Sequence, residues 1–308
     1  MAQQQTRRGS PKFVIWAPSF DETNGGSIVL HLLCRRLNEF GETALLWPHD
    51  RPAARLGGNP RRLLGALRYR LQRRERLFST GPFENPIAGP DDLQDAIVVY
   101  PEIVSGNPLG GRHVVRWFLH LPGYHTGKTG YGPDELYFYI VDAFNDPTIN
   151  PHPENRLTLQ WENDVYGKTN QGARSGSCYM MRHGAGRPLV HDLADSTPVD
   201  AMTHAEKAAE FNRRERFYSY DPYTFYLVYA AICGCIPIVV PEPGKTKDEW
   251  QPKPADRYGF AYGEEDIAWA VETRGALLDK LARRRVIEDD MVRRFAARCR
   301  DWYLSRCR

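Results

Sequence analysis

Arg182 and Arg187 bracket a short turn, Arg182-His-Gly-Ala-Gly-Arg187, that follows the apolar run Cys178–Met181. Two guanidinium forks on a glycine-bearing turn suit a diphosphate, although the same turn could be a surface loop with solvated arginines. A second group stands at Asp221-Pro222. Asp in a capping position and Pro at the first helical position predict a helix from 222 to 233, closed by Gly234. The start of such a helix offers N–H donors and partial positive charge to a phosphate, or it is simply a capped helix. Tyr220, Asp221 and Thr224 are the candidates to shape a pocket there. A third group is Gly25-Gly26, ahead of a helix expected from Ser27 to Phe40. Paired glycines let a ligand approach the backbone closely, yet the G-x-G-x-x-G fingerprint is absent, and a turn without function also fits.

Candidates for proton transfer lie in the first half. His120 ends the apolar run 113–120. An imidazole there could orient a sugar or act as a base, or be a hydrogen-bonded core histidine. Asp21 and Glu22, just before the glycine pair, compete as bases. Gly123-Tyr-His-Thr-Gly-Lys-Thr129 imitates a phosphate loop, but its glycine spacing is one short, and Gly130, Gly132 and Pro133 prevent a following helix. No Asp-x-Asp occurs, so the carboxylate pair that would hold a divalent cation on a diphosphate is not encoded. No metal and no cofactor are expected. Leaving-group charge would be met by Arg182, Arg187 and helix-end N–H groups.

The elements that must position these groups read as two successive α/β halves. Short apolar runs predict strands at 13–18, 43–47, 96–100, 113–120 and 137–141, with a helix between the first two. Residues 142–176, rich in Asn, Pro, Gly and Thr, read as an interdomain linker. The pattern then restarts with strands at 178–183, 216–220, 236–240 and 258–262. Helices are expected at 203–214, 222–233, 264–273 and 275–306, with Thr203 as a cap. Domain bounds are set at 1–155 and 156–285, with a terminal helix over 286–308 that could cross back to the first domain.

The 308 residues carry 41 Lys+Arg against 38 Asp+Glu, a net charge of +3, which speaks against a strongly basic nucleic-acid binder. No apolar run approaches the ~20 residues of a membrane span, and the amino end lacks the apolar region of a secretory signal. Six cysteines show no zinc spacing and no disulfide framework, which predicts a reducing cytoplasm. Residues 61–76 hold seven arginines and one glutamate, interleaved with leucines. They predict either a helix on the inner membrane face or a solvated helix over the first domain.

Taken in order, the Gly-Gly loop, the basic pair and the stretches Tyr218–Thr224, Cys233–Val240 and Tyr258–Gly263 resemble GT-B-fold glycosyltransferases. The resemblance is to bacterial enzymes of cell-surface polysaccharide synthesis, rhamnosyltransferase-like members included. It implies two Rossmann-like domains facing across a cleft, with Gly25 and Gly26 facing the donor and Arg182 and Arg187 gripping its diphosphate. The implied reaction moves a sugar from a nucleotide sugar to a hydroxyl of a glycan or lipid-linked saccharide. Retaining members often carry a second acid eight residues after the first. Here Tyr229 stands eight after Asp221. Two other functions remain open: another sugar-nucleotide enzyme such as an epimerase, or a non-catalytic protein held at the membrane surface.

Overall fold

A computed structural model describes residues 11–22, 24–52 and 77–306. The basic stretch 61–76, with its expected membrane contact, lies outside the described residues. The chain divides into unit 1, Met1–Trp161 with Val286–Arg308, and unit 2, Glu162–Arg285.

Unit 1 is built on five parallel strands: β1 (Phe13–Ala17), β2 (Ala44–Pro48), β3 (Ile97–Pro101), β4 (His113–Phe118) and β5 (Leu136–Tyr139). Their order is β2-β1-β3-β4-β5. A parallel sheet covered on both faces favours apolar side chains at most positions, which is why these strands read as largely apolar runs rather than as alternation, with His113 and Arg116 of β4 as exceptions. Helix α1 (Gly25–Glu39) returns the chain from β1 to β2. It begins two residues earlier than the spacing suggested. Asn24 is its cap, accepting from the Ser27 N–H at 3.1 Å, so Gly25 and Gly26 form the first helical turn instead of a free loop. Asn38 fastens the other end, donating to the Ala44 carbonyl at 2.8 Å and accepting from the Ala44 N–H at 3.0 Å.

No α-helix connects β3 to β4 or β4 to β5. Arg116, fully buried in β4, holds these loops instead. Its guanidinium grips both carboxylate oxygens of Glu135 and donates to the carbonyls of Val104 and Gly106.

Unit 2 repeats the plan with β6 (Ser177–Met180), β7 (Ser196–Pro198), β8 (Arg216–Ser219), β9 (Ile236–Val239) and β10 (Ala261–Tyr262). All pair in parallel, in the order β10-β9-β8-β6-β7. Counted from the first strand of each unit, both sheets have the doubly wound order 2-1-3-4-5. The chain is therefore an α/β protein of two Rossmann-like units. Helix α2 (His204–Arg213) starts on a reciprocal capping box between Thr203 and Glu206. Helices α3 (Tyr226–Cys233) and α4 (Lys247–Trp250) follow. α3 closes on Gly234 at φ +91°, a left-handed position that favours glycine. Strand β7 was not anticipated, because three residues reading Ser-Thr-Pro carry no apolar signal.

Two expectations change, and one gains detail. Residues 142–176 hold the break between the units, after Trp161, and are fastened on both sides of it. Leu157 bonds back to Tyr139, and Trp161 packs on Phe20 within unit 1, while Asn212 anchors Thr169 and Asn170 within unit 2. The expected helix at 222–233 begins only at Tyr226. The Asp221 carbonyl accepts from Ser219 Oγ at 2.7 Å and the Pro222 carbonyl from the Trp250 indole at 2.9 Å. Both carbonyls are engaged outside a helical ladder; the Asp221 carbonyl also accepts from the Thr224 N–H at 3.5 Å, closing a single turn before the helix. Finally, 267–306 is one helix, α5 (Ile267–Arg306), running through Gly275, where a β-carbon would meet nothing. Its last part belongs to unit 1, where Phe295 packs on Phe138 at 4.6 Å.

Candidate functional site

Open sheets of order 2-1-3-4-5 bind ligands beyond the carboxyl ends of their strands, where the winding reverses. In unit 1 that point lies between β1 and β3. A cavity of about 620 Å³ opens there. Its walls come from the ends of β1 (Trp16, Pro18), the start of α1 (Asn24, Gly26, Ser27) and the ends of β3 and β4 (Glu102, Leu119, His120). His49, His125 and Thr126 add to the polar lining.

Glu102 follows β3 directly and is 3% exposed. One carboxylate oxygen accepts from the Leu119 N–H at 2.9 Å. Burial pushes its carboxyl above the ordinary range, against the opposing pull of backbone donors and His125. His120 stacks on Phe144 with ring centres 4.5 Å apart. Its Nδ1 accepts from the Leu121 N–H at 2.9 Å, so the neutral ring carries its proton on Nε2 and can donate there but not accept. Gly26 lines the cavity with His120, a pairing the sequence did not indicate; Gly25 is exposed on the first turn of α1. Asp21 is exposed and outside the lining residues, and its main-chain N–H is held by Ser27 Oγ at 3.0 Å.

In unit 2 the winding reverses between β6 and β8. The turn after β6 meets the turn after β8. Asp221 is 4% exposed, and its Oδ2 lies 3.0 Å from Nδ1 of His183, whose side chain is 83% exposed. Arg182 is exposed. Its Nη1 lies 3.5 Å from Oγ1 of the buried Thr224, and its guanidinium stands 5.4 Å from the centre of the Tyr226 ring. Arg182 itself sits at φ +37°, uncommon for a residue with a side chain. Asp200 compensates by accepting from the Met181 and Arg182 N–H groups, the latter at 2.9 Å. Gly184 packs so tightly that a β-carbon would collide with the Tyr220 carbonyl.

Arg187 has a different place from the one its spacing implied. It donates to the carbonyls of Tyr220 at 2.8 Å, Val240 at 3.1 Å and Pro241. Its two terminal nitrogens hold strand ends together. Tyr220 is fully buried, and its hydroxyl is engaged by the Val190 N–H and His191. It supports the turn without facing a ligand. Asp221 caps no helix; its carboxylate serves His183 and the Tyr223 N–H.

The spacing argument missed Glu102 and His183. Glu102 had one usable signal, a carboxylate immediately after a buried parallel strand. His183 lay inside the quoted turn, but its carboxylate partner is 38 residues away and only the fold reveals it. Among the described residues, no group of three or more His, Cys, Asp or Glu gathers to hold a metal, and no helix is long and apolar enough to cross a membrane.

No protein-family model and no curated protein sequence matches this chain. Several solved structures are similar to it at low identity. One is T4 phage BGT in complex with its UDP-glucose substrate, at 7% identity and a TM-score of 0.37, covering 96% of this chain and 98% of that one. Another is sucrose-phosphate synthase from Thermosynechococcus elongatus, at 8% identity and a TM-score of 0.35, covering 96% and 94%. A third is the DNA-modifying enzyme β-glucosyltransferase, at 8% identity and a TM-score of 0.37, covering 96% and 98%.

Proposed function

We propose that this chain is a glycosyltransferase. It moves a sugar from a nucleoside-diphosphate donor to a hydroxyl of a glycan or lipid-linked saccharide. The observation that carries the reading is the pairing of two identical sheet orders, each with polar and charged side chains gathered at its switch point. In unit 2, Arg182 and the main chain around Thr224 meet the donor pyrophosphate, with Arg187 and Tyr220 as supports. Electrostatic stabilisation of the departing diphosphate is the main catalytic term.

In unit 1 the cavity takes the acceptor. Glu102 is the base, because burial raises its carboxyl towards the pH at which a base works best. His120 donates Nε2–H to the sugar and orients it. Asp21, exposed and outside the cavity lining, is set aside as the base.

A thermal-shift screen against UDP-, GDP-, dTDP- and CMP-sugars tests the reading, since a ligand that binds the native state raises its stability. The donor that shifts the transition should release its nucleotide only when a saccharide acceptor is added. Turnover without an acceptor would indicate an epimerase or related enzyme. No shift with any donor would leave a non-catalytic protein as the better account.

A further inference from the structure

The turn after β6 is held by more devices than a surface turn needs. Asp200 binds two of its N–H groups, Gly184 seats it on the Tyr220 carbonyl, and Arg187 ties its far end to β8 and β9. What this framework presents is the Arg182 guanidinium and one imidazole. The His183 side chain is 83% exposed, yet its Nδ1 meets a carboxylate that is itself buried. A buried Asp221 beside an exposed ring fixes the tautomer: Nδ1 carries the proton towards the carboxylate, or both nitrogens are protonated. In either case the ring's orientation is set and Nε2 is left facing outward. Strain is stored in the same turn, at the left-handed Arg182.

We propose that His183, oriented by Asp221, is a direct contact for the diphosphate of the ligand bound at the switch point of unit 2. With Nδ1 turned to Asp221, Nε2 is the ring nitrogen that reaches a phosphoryl oxygen, and Arg182 supplies positive charge beside it. Asp221 is a positioning residue that acts through His183. The inference rests on the pyrophosphate reading of unit 2 and adds a residue to it. The charged groups of the surrounding elements are Asp221 after β8, Arg182 and Arg187 at the two ends of the turn, Asp200 after β7, Lys207 of α2 beside Asp200 and the Tyr226 ring, and the Glu242–Lys245 pair after β9.

Calorimetric titration of the full chain with pyrophosphate, UDP and orthophosphate tests this, together with proton–nitrogen correlation spectra of the histidine rings. Pyrophosphate or UDP should bind the wild type and shift the His183 ring signals. His183→Ala should weaken binding about tenfold or more, as expected for losing a hydrogen bond to a charged group. His183→Gln, which keeps an N–H donor, should restore part of the loss. Asp221→Asn should weaken binding less than His183→Ala and change the ring's tautomer signature. The His183 variants should lose some stability, because the buried Asp221 carboxylate loses its partner, so binding is compared at a temperature where each variant is fully folded. If a diphosphate binds the wild type while His183→Ala binds equally well and the ring signals stay still, the inference fails and the pyrophosphate reading stands. If orthophosphate binds as tightly as the diphosphates, the site takes a single phosphate and the assignment is wrong. If nothing binds, both fall. Should Asp221→Asn fail to fold, the two His183 variants decide the question alone.

Discussion

The guanidinium of Arg187 donates to the main-chain oxygen of Tyr220 at 2.8 Å and to the Val240 carbonyl at 3.1 Å. Arg187 thus acts on the protein before it acts on any ligand. Arg187→Ala leaves these strand-end carbonyls without their charged donor. It should lower stability by about 1–3 kcal/mol, the cost of unsatisfied polar groups, visible as a reduced denaturation midpoint with no ligand present. Arg182→Ala removes an exposed side chain, and its midpoint should match the wild type.

Glu102 supplies two pH-dependent expectations. A base must be ionised, so transfer should fall as the pH drops through its raised pKa, and Glu102→Gln should lower kcat by about 10²–10⁴-fold. Stability runs the other way. A carboxyl raised by burial disfavours the charged native form, so its contribution is lost as the pH rises from the unfolded value of about 4.3 through the folded one. The stability of Glu102→Gln relative to wild type should therefore increase with pH across that window, read by urea denaturation at several pH values.

Gly184 lies against the Tyr220 carbonyl with no room for a β-carbon. Gly184→Ala should cost about 1–3 kcal/mol through overpacking. It should also displace the turn that carries Arg182 and His183. Loss of diphosphate affinity together with a lower midpoint is the expected pair of results.

Arg116 and Glu135 form a buried ion pair, with side-chain exposures of 0% and 6%. Removing one partner leaves the other charge uncompensated, so Glu135→Ala should destabilise unit 1 by about 3–5 kcal/mol. Replacing both with apolar residues of similar size should remove the uncompensated charge but still leave the Val104 and Gly106 carbonyls without their donor, so part of the loss remains. Denaturant titration of the single and double variants checks this.

Much of the fold was legible because parallel strands buried on both faces leave largely apolar runs. The strands around Val14 and Val98 announced themselves in this way, while those around Val115 and Phe217 did so despite Arg116 and Arg216. Local chemistry was legible too: Thr203 and Glu206 form the cap that their spacing implied. What stayed hidden depended on partners distant in sequence. Asp221-Pro222 carries a helix-start signature, but Ser219 and Trp250 take its carbonyls and the helix waits until Tyr226. Arg187 looked like a ligand residue because nothing in its neighbourhood reveals three carbonyls converging on it. His120 does line the cavity, but the hydrogen bond that its Nδ1 accepts from the Leu121 N–H is one that no spacing rule anticipates.

The central claim is that the switch point of unit 2 is a pyrophosphate socket in which Arg182 is the exposed charge. Calorimetric titration of UDP, GDP and dTDP into the wild type and Arg182→Ala measures it most directly. One nucleotide should bind the wild type, and the substitution should cost about 2–4 kcal/mol of that affinity, by analogy with losing one charge-stabilising donor. Equal affinity in the two proteins, or no binding by any of the three, would contradict the account.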